Sequence, residues 1–422
     1  MALSHTYIDI FAGCGGLSLG LYNAGWKGLF AIEKSPQAFD TLSHNLIDKK
    51  NHFEWPDWLK KQEWDIDDVI KDYSEQLKNL QGKVNMIVGG PPCQGFSIAG
   101  QRNEKDKRNK LINSYIKFVN LVKPDMIFFE NVKGFTMEFR NNAKKGKKYS
   151  QIVTSKLDSV GYYVFGKLIN FGDYGIPQKR TRFILVGIRK DIKNSSVDKA
   201  KLFFEKLETN KFNFLQEKGL KESPTVKDAL SDLLSRKDTI ETPDRKGFKS
   251  SSYRTAKSNY QQYAREDVIN KYPNSHSFAK HTEKLIERFK KVQSVTHKCK
   301  NISEELKQQL GIHTQVLAPL KPKEQAPTLT SIPDDMLHYS EPRILTVREC
   351  ARLQSFPDWF EFKSKYTTGG KLRRKEVPRY TQVGNAIPPL FGEQAGLILK
   401  ELRNEDASCA RFTILPKIIL GL

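Results

Sequence analysis

Short apolar runs separated by helical lengths make up the first 190 residues. "TYIDIF" (6–11) reads as a buried strand, the glycine-rich "AGCGG" follows, and "LSLGLYNAG" has helical spacing ending at Gly25. Further strand-like runs are "GLFAIE" (28–33), "VNMIVGG" (84–90), "PDMIFFENV" (124–132) and "RFILVGI" (182–188). Strands this apolar are buried on both faces. The pattern therefore predicts an α/β domain built on a parallel, doubly wound sheet with helices on both sides.

Beyond 190 the alternation stops. Only "HTEKLIERFKKV" (281–292) has helical spacing before about 340, while "SSSYRTAKSNYQQYAR" mixes basic, aromatic and amide side chains. After 343, "RILTVRECARLQSF" reads as helix again, and "TQVGNAIPP" (381–389) precedes a clean helix, "LFGEQAGLILKEL". The expected organisation is a catalytic domain over 1–190, a smaller irregular domain over 191–342, and a segment 343–422 returning to the first.

Charge sharpens this picture. Lys and Arg outnumber Asp and Glu by 70 to 48 over 422 residues, a formal charge of +22, and residues 236–324 alone hold 19 against 10. Such a surplus points to a polyanionic partner, with nucleic acid ahead of a membrane surface. The five cysteines (14, 93, 299, 350 and 409) form no CxxC pair, which argues against a disulfide framework or a structural zinc site. No leader-like N-terminal segment is visible, and no apolar tract reaches the ~20 residues of a membrane span. A cytoplasmic protein without membrane or metal is expected.

The candidate chemistry lies at the strand ends. "FAGCGG" between a strand and a helix suits a nucleotide-like ligand, although the turn lacks the full GxGxxG spacing and a plain tight turn would look the same. Glu33 closes the second strand about 20 residues on, where a carboxylate can take ribose hydroxyls. Together they favour an adenosine-containing cofactor, and leave open whether it carries a hydride or a methyl group. In "GGPPCQGFS" (89–97), Cys93 follows two prolines at the end of a central strand, a poor place for a core residue and a good one for a nucleophile. "FFENV" brings Glu130 and Asn131 to the next strand end, and "GIPQKRTRF" brings Arg180 and Arg182 to another. A thiol, a carboxyl group and a guanidinium at neighbouring strand ends define a reaction centre.

Six segments in order, "DIFAGCGGLSLG", "GGPPCQGFS", "ENV", "QKRTRF", "RECARLQSFPD" and "QVGNAIPP", closely resemble the DNA (cytosine-5)-methyltransferases, particularly those of prokaryotic restriction–modification systems. The resemblance implies a Rossmann-like S-adenosylmethionine-dependent methyltransferase sheet, with the basic stretch as target recognition domain. It implies S-adenosyl-L-methionine as methyl donor and a cytosine of double-stranded DNA, flipped from the helix, as acceptor. Cys93 would be the nucleophile, Glu130 the partner of the cytosine N3 and amino group, and Arg182 the anchor of the base carbonyl, with Arg180 and Asn131 beside them. Phe11, Ala12, Gly13, Cys14, Gly15, Gly16, Glu33, Asp65, Pro92 and Asn385 would line the cofactor site. The segment "QGFSIAGQRNEKDKR" would be the loop that closes over the base. The implied enzyme acts on DNA as a monomer, and is either paired with a restriction endonuclease or a stand-alone methylase.

Two departures stand out. The family's third motif carries glycine where Trp64 stands. The spacer "WFEFKSKYTTGGKLRRKEVPRYT" is longer than usual, and its "KLRRK" reads as a solvated surface loop rather than an extra phosphate contact. An amino-methyltransferase would place an aromatic residue at position 93, and a tRNA-directed relative would lack the long basic insert. A DNA-binding module without catalysis would have no use for the three strand-end groups together.

Overall fold

The computed structural model describes residues 5–92, 110–137, 148–296, 299–369, 372 and 375–411, with side chains to residue 404. Six strands form the central sheet: β1 (Thr6–Ile10), β2 (Lys27–Ile32), β3 (Met86–Gly89), β4 (Met126–Val132), β5 (Tyr162–Asn170) and β7 (Thr181–Arg189), in the order β2-β1-β3-β4-β7-β5. The first four are mutually parallel, whereas β7 runs antiparallel to both β4 and β5. The sheet is thus mixed, which corrects the all-parallel expectation. Only residues 171–180 join β5 to β7, too short a connection for a crossover helix, so the chain must turn back on itself. β5 escaped the sequence pattern because it is an edge strand, half-exposed along most of its length.

Side chains alternate across the sheet and divide the core. Tyr7, Met86, Val88, Met126, Phe128, Ile184 and Val186 pack on one face with α1 (Gly16–Asn23), α7 (Val197–Glu217) and α14 (Pro389–Arg411). Ile8, Ile10, Ile87, Ile127, Phe129 and Leu185 pack on the other, against α3 (Ile66–Asp72), α4 (Ser74–Lys78), α5 (Lys110–Val122) and α6 (Tyr149–Ser159). Burying each such side chain is worth roughly 1.5–3 kcal/mol, which is why the sheet's register is strongly specified. α7 begins beyond residue 190, yet its Phe203, Phe204, Leu207 and Leu215 are buried in the first of these clusters.

The basic region consists of short pieces. After α8 (Val226–Leu230) comes a hairpin, β8 (Thr239–Glu241) and β9 (Lys249–Ser251), then α9 (Asn259–Ala264), α10 (Glu283–Val295) and α11 (Glu304–Leu310). Phe289, Val292, Ile302, Leu317, Leu337 and Ile344 give it a small core of its own. Two-residue strands fasten it: β10 (Ala318–Pro319) to β12 (Met336–Leu337), and β11 (Ala326–Pro327) to β6 (Gln178–Lys179), just before Arg180. Strands this short carry no readable periodicity.

A buried ion network joins this region to α12 (Val347–Leu353). Arg352 donates to both oxygens of Asp358 at 2.6 Å and to both oxygens of Asp232 at 3.1 Å, and Tyr253 donates to Asp358 at 2.7 Å. Within the long spacer, Phe360, Phe362 and Tyr366 are buried in the main core. Among the described residues no helix is long and apolar enough to cross a membrane, and no group of three or more metal-ligating side chains occurs.

Candidate active site

The carboxyl ends of β1, β2, β3 and β4 open into one cleft of about 1140 Å³. Parallel strands put their free backbone groups and the following turns at this edge, which is why sites collect there. At the end of β1, Phe11 lines the cleft with φ at 61°, a conformation costly for a side-chain-bearing residue. Ala12 N donates to Ile32 O at 3.1 Å, tying the turn to β2. Gly13 N then donates to Glu33 Oε2 at 2.8 Å, and Ser35 N, at the start of α2 (Pro36–Leu42), donates to Glu33 Oε1 at 2.7 Å. Burial pushes the Glu33 carboxyl up, against the pull of these backbone N–H groups.

Phe11, Ala12, Gly13, Cys14, Gly16, Glu33, Asp65, Pro92 and Asn385 all line this cleft. Gly15 does not. It caps α1 in the left-handed region at φ 90°, and a Cβ there would stand 2.9 Å from Leu46 Cδ1, so it faces the core. Cys14 is buried, its thiol pushed up to about 12 by burial, and its Sγ lies 3.6 Å from Gln382 O. Burial therefore disfavours its thiolate. Asp65 caps α3 and pairs with Lys34 at 2.5 Å; Lys34 and the Asp67 N–H outweigh burial and hold its carboxyl low.

At the other end of the cleft the backbones crowd. A Cβ on Gly89 would fall 1.8 Å from Ile10 O, and one on Gly90 1.9 Å from Glu130 O. Two glycines are therefore required where β3 emerges between β1 and β4. Asn131 Nδ2 donates to Pro91 O at 3.2 Å, while its Oδ1 accepts from Val132 N at 2.8 Å. Asn131 thereby fixes the proline turn that leads directly to position 93. Cys93 and the "QGFSIAGQRNEKDKR" segment lie outside the described residues.

Glu130 Oε1 accepts from Arg182 Nε at 3.0 Å. Burial pushes the Glu130 carboxyl above the usual carboxylate range in spite of Arg182 and Arg180. Arg182 Nη1 also donates to Thr181 O at 2.9 Å. Arg180 is fully buried, bonds Leu329 O at 3.4 Å through Nη1, and leaves Nε without a partner among the described residues. All three side chains line the cleft.

Several lining residues were not among those the sequence singled out. Asp9 accepts from Ser18 Oγ at 2.5 Å, and burial pushes its carboxyl up to about 7. Its placement inside the quoted turn motif could have suggested it. Thr328, Leu329, Thr330 and Ser331 reach the cleft from the basic region, and Thr367, Thr368 and Lys375 from the long spacer. Only the tertiary fold brings those two segments here. Lys375 of "KLRRK" is thus a cleft residue, although exposed.

A glycine turn held to a carboxylate at the end of the second strand, and a mostly covered carboxyl–guanidinium pair farther along the same edge, share one cleft of an α/β fold. The family model for C-5 cytosine-specific DNA methylases matches residues 5–400, and the chain belongs to that family. Among curated relatives it is similar to the type II methyltransferase M.DdeI of Desulfomicrobium norvegicum, 32% identical over 404 residues that cover 92% of this chain and 86% of the relative. It is also similar to M1.HphI of Haemophilus parahaemolyticus, 29% identical with 96% and 89% covered.

Solved structures agree in fold. A prophage-encoded E. coli protein proposed to be a DNA modification methyltransferase superposes with a TM-score of 0.65 at 24% identity, covering 95% of this chain and all of that one. S. pombe Dnmt2 gives a TM-score of 0.51 at 16% identity, covering 94% and 99%. The protein is a C-5 cytosine DNA methyltransferase of restriction–modification type, in a family that uses S-adenosylmethionine.

Proposed function

We propose that this chain flips a cytosine out of duplex DNA into the cleft and methylates C5 through a covalent bond between Cys93 Sγ and C6. The observation that carries the reading is that Pro92, Glu130 and Arg182 share one cavity with Glu33 and the glycine turn. Cys93 follows Pro92 directly in the chain.

The cofactor end of the cleft fits S-adenosylmethionine. A Cβ on Gly13 would meet nothing within 4 Å, so bare backbone faces open space there. Glu33 would take the ribose hydroxyls and Asp65 the adenine, with Phe11, Pro92 and Asn385 as walls. When bound, the cofactor supplies an electrophilic methyl group on a sulfonium.

C5 of cytosine is a poor nucleophile within a stacked aromatic ring. Extruding the base costs a few kcal/mol. Addition of the Cys93 thiolate to C6 then moves the C5–C6 π electrons toward C5, giving enamine character there. Glu130 hydrogen-bonds N3 and the amino group, and stabilises the charge that develops at N3. Arg182, already fixed against Glu130, holds the base carbonyl and favours the thiolate. After methylation, a water molecule takes the C5 proton, and Sγ leaves C6 as the Cys93 thiolate, releasing 5-methylcytosine.

The basic residues within 191–342 would face the duplex, with the enzyme acting as a monomer in the cytoplasm. Its product would protect DNA from a cognate endonuclease. DNA containing 5-fluorocytosine tests the adduct, since fluorine cannot leave as a proton does. A covalent complex on a denaturing gel is expected only with cofactor present. Its absence at a mapped target site would refute the adduct.

A further inference from the structure

The β8–β9 hairpin of the basic region is fastened to the helix that ends at Asn385. That helix, α13 (Arg379–Asn385), starts with Arg379, whose side chain is 8% exposed. Arg379 Nη1 donates to Asp244 Oδ2 in the hairpin turn, and Tyr366 Oη donates to Asp244 Oδ1 at 2.7 Å. The Arg379 guanidinium lies 4.3 Å from the Tyr366 ring centroid, and Arg245 stacks on Phe248 at 3.6 Å and on Tyr366 at 4.7 Å. Arg379 further donates to Ser364 O at 2.9 Å and to Ser275 Oγ at 3.1 Å. One carboxylate of the basic region is therefore the counter-ion of the first residue of α13.

α13 also lines the cleft, through Tyr380, Thr381, Gln382, Gly384 and Asn385. Gln382 Nε2 donates to Gln37 O at 3.1 Å, and its Oε1 accepts from Thr41 Oγ1 at 2.7 Å, both on α2. The start of α2, in turn, is where Ser35 N holds Glu33. The contacts run unbroken from the hairpin turn to the carboxylate assigned to the ribose. The same hairpin presents Lys246 and Lys249 to solvent.

We propose that Asp244, Tyr366 and Arg379 are positioning residues that couple engagement of DNA by the hairpin to cofactor affinity. The proposal rests on the reading of this hairpin as DNA-facing. A phosphate held at Lys246 or Lys249 fixes the turn, the turn fixes Arg379, and α13 and α2 are then held in their cofactor-binding arrangement. The stacked aromatic and guanidinium groups link the turn to Arg379 through direct contacts. By linkage the effect is reciprocal, so cofactor must tighten DNA by the same factor.

Methylation mapping in an expressing strain gives the target sequence, and a duplex carrying it is the probe. S-Adenosylhomocysteine binding to the full chain is measured calorimetrically with and without that duplex. For the natural protein the duplex should tighten binding by about ten-fold. In Asp244→Asn and Tyr366→Phe that gain should fall to less than about two-fold, while binding without DNA stays within about two-fold. Tyr366→Phe keeps the stacked ring, so it folds even if the first variant does not. No gain in the natural protein, or a full gain in Tyr366→Phe, would overturn the coupling. Duplex affinity of Lys246→Ala and Lys249→Ala is the separate control. Weakened binding upholds the hairpin as DNA-facing, and unchanged binding removes that reading and this proposal with it.

Discussion

Glu130 and Arg182 meet across antiparallel strands. Glu130 is paired in register with Ile184, and Val132 with Arg182, so a two-residue step puts both side chains on one face, with Nε 3.0 Å from Oε1. Their alignment depends on β7 running backwards beside β4.

Burial holds Glu130 above the usual carboxylate range, so it keeps its proton to higher pH than an exposed glutamate. A step that needs the protonated acid is available below that raised pKa and is lost as pH climbs through it. The rate of methyl transfer should therefore fall on the alkaline side. Glu130→Gln should remove that limb and lower kcat by about 10²-fold or more. An unchanged profile, followed by tritiated-methyl incorporation, would exclude Glu130 as the acid.

Cys93→Ser should abolish methyl transfer and leave duplex binding largely intact, because the thiol is needed for bond formation and not for phosphate contacts. Filter binding and tritiated-methyl assays on the same preparation check both halves. Substantial turnover by the serine variant would rule out the assigned nucleophile.

Gly90→Ala would drive a Cβ to within 1.9 Å of Glu130 O. The backbone must then shift at the point where it supports both Glu130 and the proline turn. A shift of about 1 Å at a reacting group can cost roughly 10²-fold in rate. We expect at least that loss in kcat with duplex affinity retained; normal kcat would show that the close approach does not matter.

Glu349, buried on α12, takes bonds from Arg343 Nη1 and Nη2 at 2.8 and 2.7 Å. Burial works against its charge, but Arg343 prevails and holds the carboxyl down to about 2. A depressed carboxyl contributes stability above its unfolded pKa and loses it as pH falls through the folded one. The contribution is roughly 3 kcal/mol at neutral pH, lost between about pH 4.5 and 2. Urea unfolding of the natural protein and Glu349→Gln should show a gap near pH 6 that narrows toward pH 2. A pH-independent gap would contradict this.

Duplex binding should weaken steeply with salt, since neutralised phosphates release counterions. A log–log plot of affinity against salt concentration should slope downward by about 0.9 per phosphate contacted. Neutralising Lys246 or Lys249 should make it shallower by about one contact. A flat titration would remove the basic region as the DNA-facing surface.

The sequence by itself determined the parts of this protein that are periodic or covalently local. Apolar runs gave five of the six sheet strands, four of them in the parallel sense expected, because strands buried on both faces must be apolar throughout. The glycine turn, Glu33, the proline turn and Glu130 were legible for a related reason: the first three come just after such strands and Glu130 lies in the last residues of one, so chain continuity fixes their place at the sheet edge. The tertiary structure alone decided the reversal of β7, which depends on a short return from an edge strand too exposed to show its pattern. It alone turned Gly15 away from the cleft and brought Thr330, Lys375 and Asp244 to the positions they hold. Those residues come from segments far apart in the chain, and long-range packing leaves no trace in local spacing.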